Sequence, residues 1–567
     1  MGSQHVECRT RTRPKTWRQC QRVLEPLIRI AAIGGGPKCL FALLALHDLI
    51  PSVAAPRVTV DVYDPLPPGA GSVWRVSQPN VLRLNVNRGI VDASSSLSHE
   101  DFTRWIDRID PAMSGEKYPP RALVGRYLSE QFQLLCQRGN IDVNHVPVVV
   151  NGVEREASRW RVSGPSRSQL YDEVLLATGH GLADALPADP LAGALNINPL
   201  IGDYAALSTA EVPPESSVWI RGAALTAYDV ALLLTEGRGG SWEPAGEDSV
   251  GIRYSASGKE PRRITLSSRS GTLMDPKPQA VPEEVTACLA VHRQRLRQWG
   301  VEVRDAMPDG GRRLARMWLV LLNCAVDCAS VMGAQISALE LWRTALTGES
   351  VSAGPGVTQS PLAVNAVVHL RNSLSVNELK APLTTGWIWA RVWSGLYAEL
   401  VVAMDRLPRN MSESRQFTRV ARNLERFAFG PPELTARKLV ALFDAGILHV
   451  ATPGGHPSVG AVLVDAVTPG PGVLLEAAPQ GCPNSDLVGR LLKAGEVSVR
   501  PGDRGLLTEP DGTCLARDGS RNESLVALGR PTEDPTLGHD TLNRSLHGEH
   551  RLWAQRVASR TIDQINT

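Results

Sequence analysis

Gly34-Gly35-Gly36-Pro37 follows an apolar run ending at Ile33 and precedes a mostly apolar stretch from Lys38 to Ile50. A strand that feeds a glycine turn and then a helix suits phosphate chemistry. One residue must turn sharply, a second must lack a Cβ so that the backbone can approach a pyrophosphate, and a small third must let helix and strand pack closely. Gly34, Gly36 and Cys39 fill these places, with cysteine a departure at the third. Asp64 ends the alternating run that starts at Val58 and is placed to bind ribose hydroxyls. It lies farther on than the usual ~20 residues, and the loop from Pro51 to Pro56 supplies the excess. The expected ligand of this turn is a dinucleotide.

A second start of the same kind is Gly222-x-Ala224-x-x-Ala227, after the strand from Ser217 and at the head of a helix that begins Leu225-Thr226. It is a poorer copy, because Ala224 sets a methyl where a pyrophosphate lies closest to the backbone. Arg262, Arg263 and Arg269 flank the next strand, and Arg269 stands where a cation meets a 2′-phosphate. Two such starts predict an α/β fold with two Rossmann-like dinucleotide-binding domains. Helical periodicity from 283 to 445 predicts a helical elaboration, followed by short strands and a helix from Asp540 to Ser559. The expected division is an N-terminal extension at 1–27, a discontinuous first domain at 28–210 and 448–567, a second domain at 211–280, and a helical region at 281–447 that shapes a substrate cavity.

Across 567 residues, 60 Lys+Arg against 58 Asp+Glu leave a net charge of +2, so no broad field marks a nucleic-acid or anionic-membrane partner. Any potential that holds phosphate or carboxylate must be local. Nine cysteines with no CxxC argue against a disulfide framework, and Cys324 and Cys328, four apart in an apolar run, read as buried thiols. Twelve scattered histidines suggest no metal site. The basic N-terminus lacks the apolar stretch of a secretory signal, so the expected location is cytoplasmic. The run from Met317 to Ile336, interrupted by Asn323 and Asp327, reads as a core helix rather than a membrane span. No GxSxG, HExxH or P-loop is present, which leaves the catalytic residues unnamed. That absence fits a protein whose cofactor carries the chemistry.

Several segments together resemble the FAD/NAD(P)-binding flavoproteins with two dinucleotide domains, related to flavin-dependent N-hydroxylating monooxygenases. They include Ile33 to Pro37, Gly69 to Arg75 with Leu84-Asn85, Tyr118 to Arg121, Ala177 to His180, Arg221 to Asp229, Phe429 to Pro432, and Leu528 to Glu533 with Gly538 to His547. The resemblance implies that Gly34, Gly35, Gly36, Pro37 and Asp64 hold FAD, that the loop from Trp74 to Asn85 lines the flavin, and that Thr178-Gly179 crosses between the domains. It further implies that Gly222, Leu225, Thr226 and Arg269 meet NADPH. Gly529 to Thr532 would return to the flavin, with Asp540 or Thr541 capping the helix that follows. The match to Phe429–Pro432 and to Gly538–His547 points to the nitrosuccinate synthases, and so to N-oxygenation of L-aspartate with O₂. Arg75, Arg83, Arg88 and Arg544 are the candidates to hold substrate carboxylates. Other readings stay open: a flavin oxidoreductase of another amine or amino acid, or a degenerate nucleotide-binding protein, which Cys39 and Ala224 keep alive. A homo-oligomer is also open.

Overall fold

The structure is a computed structural model that describes residues 28–51, 58–179, 207–246, 250–305, 313–352, 366–467, 470–473, 483–533, 537–539 and 541–566. The expected extension at 1–27, His180 and Asp540 lie outside the described residues.

The first apolar run folds as β1 (Ile28–Ile33), five of whose six residues are buried because both faces of its sheet are covered. After the glycine turn, α1 (Pro37–Leu49) starts with proline at its head, where a missing N–H costs nothing. β2 (Val58–Tyr63) then runs parallel to β1, with Val60 opposite Ile30. The helices α2 (Phe102–Ile109) and α3 (Arg121–Arg138) lead to β3 (Asp142–Val146), parallel to β2. Next, β4 (Gly152–Glu156), β5 (Arg159–Ser163) and β6 (Ser168–Tyr171) make a small antiparallel sheet, and β7 (Glu173–Leu176) returns beside β1.

The second unit begins with β8 (Ser217–Arg221), α4 (Leu225–Leu234), the antiparallel pair β9 (Ser241–Pro244) and β10 (Ile252–Ser255), and β11 (Arg263–Ser267). Seven helices follow: α5 (Glu283–Asp305), α6 (Arg313–Val331), α7 (Ala338–Thr347), α8 (Ala366–Asn377), α9 (Thr385–Met404), α10 (Met411–Ala428) and α11 (Glu433–Asp444). The chain ends with β12 (Leu448–Val450), β13 (Val462–Asp465), α12 (Pro483–Ala494), β14 (Thr513–Leu515), β15 (Arg521–Ala527) and α13 (Glu549–Asn566).

Two sheets organise these elements. The first has the order β14-β15-β7-β1-β2-β3, parallel except for the β14–β15 hairpin. Alternate residues of β1 face opposite layers. Ile30 and Ala32 pack with α1, α3 and α13, while Ala31 and Ile33 pack with Trp160 of the small sheet and Leu487 of α12. The second sheet is wholly parallel, β12-β11-β8-β13, and is covered by α4, α8 and α11. Helices α5, α6, α7, α9 and α10 bury a separate core around Trp318, Trp389 and Trp393.

The two-domain α/β expectation holds, but its internal boundaries move. β12 and β13 pair with β11 and β8, so residues 448–465 belong to the second domain and not to the first. Likewise α8 and α11, expected in the helical region, cover the second sheet. The reason is that short apolar strands such as Leu448-His449-Val450 carry no periodic signal of which sheet they join. The last helix starts at Glu549, nine residues after the expected Asp540. α6 is long and apolar enough to cross a membrane, yet it buries Leu314, Met317, Trp318, Leu321 and Cys324 in the helical core.

Candidate active site

The three glycines of the first turn serve different ends. Gly34 has φ +97°, and a Cβ there would lie 2.3 Å from the Ala177 carbonyl oxygen, so the turn is pressed against Ala177-Thr178 at the exit of β7. The Gly35 N–H donates to Asp64 Oδ2 at 2.7 Å, and the Leu66 N–H donates to Oδ1 at 2.8 Å. Asp64 therefore braces the turn with both oxygens. Gly36 is different: its φ of −76° suits any residue, and a Cβ would meet nothing nearer than Gly71 Cα at 3.8 Å. Neither backbone nor packing asks for glycine there, and no side chain caps α1. An open face without a Cβ at an uncapped helix start is the cradle that a pyrophosphate fills, so these residues fit FAD. Cys39 is wholly buried in the core between α1 and the sheet, and burial pushes its thiol up. It fills the small third position without exposing a reactive sulfur.

The second turn repeats the plan. Gly222 has φ +126°, and its N–H donates to the Ser267 carbonyl at 2.8 Å. Ala224 is extended and exposed at the uncapped head of α4, directly before Leu225 and Thr226. At the end of β11, the Ser268 hydroxyl is buried without a hydrogen-bond partner, and Arg269 beside it is exposed with no ion pair among the described residues. An orphaned hydroxyl next to a free guanidinium suits a nucleotide phosphate. The two domains are tied by Arg121 of α3 and Asp229 of α4, whose Nη1 and Oδ2 are 2.7 Å apart. Burial raises the Asp229 carboxyl even against that partner.

A cavity of about 1030 Å³ opens where the two domains, α9, α10 and the C-terminal loop meet. Trp74 and Asn85 line it from the first domain, Leu225 from the second, and Thr541 and Leu542 from the C-terminal loop. Tyr397, Phe417 and Phe429 make much of its apolar wall. Buried Arg391 and half-buried Lys277 in that wall have no carboxylate partner among the described residues. Arg391 is 4% exposed, with contacts of 3.4 Å to Asn377 Oδ1 and 3.5 Å to the Trp387 carbonyl. Asp275, a nearby compensating charge, is taken by His369 at 2.5 Å. Burial pushes the Arg391 guanidinium down to about 10 and the Lys277 ammonium down to about 8. Lys277 donates to the Asn85 carbonyl at 2.5 Å. Phe429-Gly430-Pro431-Pro432 positions it: the Lys277 N–H donates to the Pro431 carbonyl at 2.8 Å, and a Cβ on Gly430 would lie 1.9 Å from the Asp275 carbonyl oxygen.

The arginines expected to hold substrate are placed elsewhere, and none lines the cavity. Arg83 pairs with Glu116 at 2.7 Å, Arg88 with Asp107 at 3.0 Å and Arg544 with Asp92 at 2.7 Å. They brace the loops of the first domain. Arg75 Nε is buried without a partner outside the cavity lining. The cations that do face the cavity went unread. Arg391 did leave a signal, as the lone charge among the first residues of α9, Thr385-Gly386-Trp387-Ile388-Trp389-Ala390-Arg391. Lys277 sits between two prolines, where no pattern marks it.

The C-terminal segment comes back against the first turn. Gly529 has φ +79°, and a Cβ there would lie 2.9 Å from Lys38 Cγ in the first turn of α1. The Thr532 hydroxyl donates to the Gly529 carbonyl at 2.9 Å and also contacts His539 Nδ1, so it holds the loop together. His539 Nε2 lies 3.2 Å from Glu549 Oε1. Burial raises the Glu549 carboxyl, but His539 and Lys38 outweigh it and leave the group well below the usual range. Burial and His539 push His547 down to about 3, which keeps that ring neutral. Thr541 does not cap α13. Its Oγ1 accepts from the Asn543 N–H at 3.0 Å, shaping the loop that lines the cavity. Gly179, at φ +60°, marks the last described residue before the crossing.

Residues 31–181 match the FAD-NAD(P)-binding family model. Over 291 residues the chain is 31% identical to an L-aspartate N-monooxygenase (nitrosuccinate-forming) of Streptomyces cremeus, covering 43% of this chain and 42% of that protein. It is 30% identical over 264 residues to a nitrosuccinic acid synthase of Aspergillus oryzae, covering 42% of this chain and 40% of that one. The chain thus spans about two fifths of the length of these curated relatives. Among solved structures, an ornithine N-hydroxylase of Kutzneria sp. 744 aligns with a TM-score of 0.45 at 12% identity, covering 94% of this chain and 100% of that one. The resemblance read from the sequence motifs stands: residues 31–181 are similar to FAD-NAD(P)-binding proteins, and two fifths of the chain to the nitrosuccinate-forming enzymes.

Proposed function

We propose that this protein is an FAD-dependent, NADPH-consuming monooxygenase that N-oxygenates the amino group of a small acidic amino acid, with L-aspartate the leading candidate. The observation that carries the reading is the pair Arg391 and Lys277: buried or half-buried cations without carboxylate partners, in the wall of a cavity lined by residues of both domains. A buried guanidinium with no carboxylate in contact with it is costly to keep, and a substrate carboxylate offsets that cost. Aspartate has two carboxylates to offer. The names of the relatives at about 30% identity support the same substrate.

Bound FAD, once reduced by NADPH, would supply the oxygen-activating chemistry. The chain's own residues have three tasks. Arg391 and Lys277 anchor the carboxylates and so orient the amine. The same positive charges favour the neutral amine, the form with a free lone pair for attack. Tyr397, Phe417 and Phe429 keep the reacting centre dry. At the second turn, Arg269 and Ser268 would meet the 2′-phosphate that distinguishes NADPH from NADH.

The test is the visible spectrum of the purified protein, followed by NADPH oxidation with a panel of amino acids. The reading expects bound flavin, stimulation by aspartate and a nitroso or nitro product. A protein that binds no added FAD sinks the enzyme reading. Stimulation by neutral or basic amines alone removes the acidic substrate.

A further inference from the structure

Cys324 and Cys328 lie four apart on α6, so their thiols share one face of the helix. α5 packs along α6 and brings a third thiol to that face: Cys288 Sγ lies 3.5 Å from Cys328 Sγ. The three sulfurs all fall within 4.8 Å of one another. Four-coordinate zinc with bonds of about 2.3 Å to sulfur sets its thiolates about 3.8 Å apart, which is close to this spacing. One turn beyond Cys288 on α5 stands His292, and its ligand atom, that of Asp327 and the Cys288 sulfur also lie within 4.8 Å of one another. Nε2 of His292 is 2.8 Å from Asp327 Oδ2, while its Nδ1 is buried without a hydrogen-bond partner. An imidazole oriented by a carboxylate, with its other nitrogen free, is the usual form of a metal-bound histidine. Cys324 and Cys328 are fully buried and Cys288 is partly exposed, which leaves a way in for an ion.

We propose that Cys288, Cys324 and Cys328 form a three-thiolate site for a thiophilic metal ion of the zinc class that pins α5 to α6, with His292 one turn from Cys288 beside its fourth position. One i, i+4 pair on α6 and a thiol from the facing α5 supply the sulfurs, a placement that the sequence hides because Cys288 is 36 residues from Cys324. The pin would bear on the cavity. Leu289, next to Cys288, seats against Gly395 of α9, where a Cβ would lie 2.5 Å from Leu289 Cδ1, and the neighbouring Ser394 lines the cavity. This proposal is independent of the substrate reading.

The experiment uses the full chain, purified with a thiol reductant, stripped with a chelator and titrated anaerobically with Zn²⁺ against a chromophoric chelator, then with Co²⁺. The expected result is one equivalent of Zn²⁺ held against the chelator, a rise in Tm on binding, and the visible bands and thiolate charge-transfer absorption of tetrahedral Co²⁺. Cys328→Ser and Cys324→Ala should each lose all three, with unchanged flavin content and far-UV circular dichroism reporting an intact fold. Cys136→Ser, which removes an exposed thiol outside the cluster, should keep them. The proposal is overturned if the folded wild-type chain holds no zinc against the chelator, or if its binding survives both cluster substitutions.

Discussion

In the proposed function two cations, Arg391 and Lys277, set what the cavity selects. Arg391 sits in an apolar helix without a carboxylate partner. Truncating a charge that pairs with a ligand in such a place costs about 2–5 kcal/mol. Arg391→Ala should therefore raise KM for an acidic amino acid by roughly 30-fold or more. Flavin content should not change, because Arg391 touches neither glycine turn, and steady-state kinetics with a flavin spectrum check both halves. Lys277 makes the binding pH-dependent. Burial lowers its ammonium to about 8, so the positive charge is present at pH 6 and is lost as pH rises through 8. KM for the acidic substrate should climb above pH 8. Lys277→Arg, charged throughout that range, should flatten the climb in a pH series of kcat/KM.

Among the elements, the turns and loops set positions, and their glycines can be told apart by what a Cβ would meet. Gly36→Val should leave the fold close to its native Tm and abolish FAD retention, because the backbone at Gly36 is ordinary and the space beside it is open. Gly34→Val should instead weaken the fold itself, since φ is +97° and the Ala177 oxygen is 2.3 Å from the new carbon. A non-glycine residue in such a conformation costs about 1–3 kcal/mol before any clash. Thermal melts with bound-flavin measurements separate the two variants. The helix-to-helix turn at Gly430 offers a third case. Gly430→Ala would force the Asp275 strand of chain aside and with it Lys277, so kcat/KM for the acidic substrate should fall while flavin content holds. The motif Phe429–Pro432 was visible in the sequence, but its purpose, to hold Lys277 in the cavity wall, was not.

At the scale of the whole molecule, the far C-terminus completes the first domain. Glu173, fully buried at the start of β7, accepts from Trp553 Nε1 at 2.6 Å and from Arg556 Nη2 at 2.8 Å, which docks α13 on a sheet formed 380 residues earlier. Breaking a buried pair by removing one partner costs about 3–5 kcal/mol. Glu173→Ala should lower stability by that order in urea unfolding and release flavin with it, since β15 and Gly529 share the same docking. By itself the sequence determined the two glycine turns and the parallel strands around them, because these depend on residue type at short spacing, whereas the bracing of the first turn by Asp64 came from the structure. The sequence also carried the resemblance that the comparisons bear out. Only the tertiary structure decided which sheet β12 and β13 join, which arginines are spent on bracing loops, and which cations remain for a ligand. Those outcomes turn on partners outside the local pattern, from Asp107, 19 residues from Arg88, to Asp92, 452 residues from Arg544.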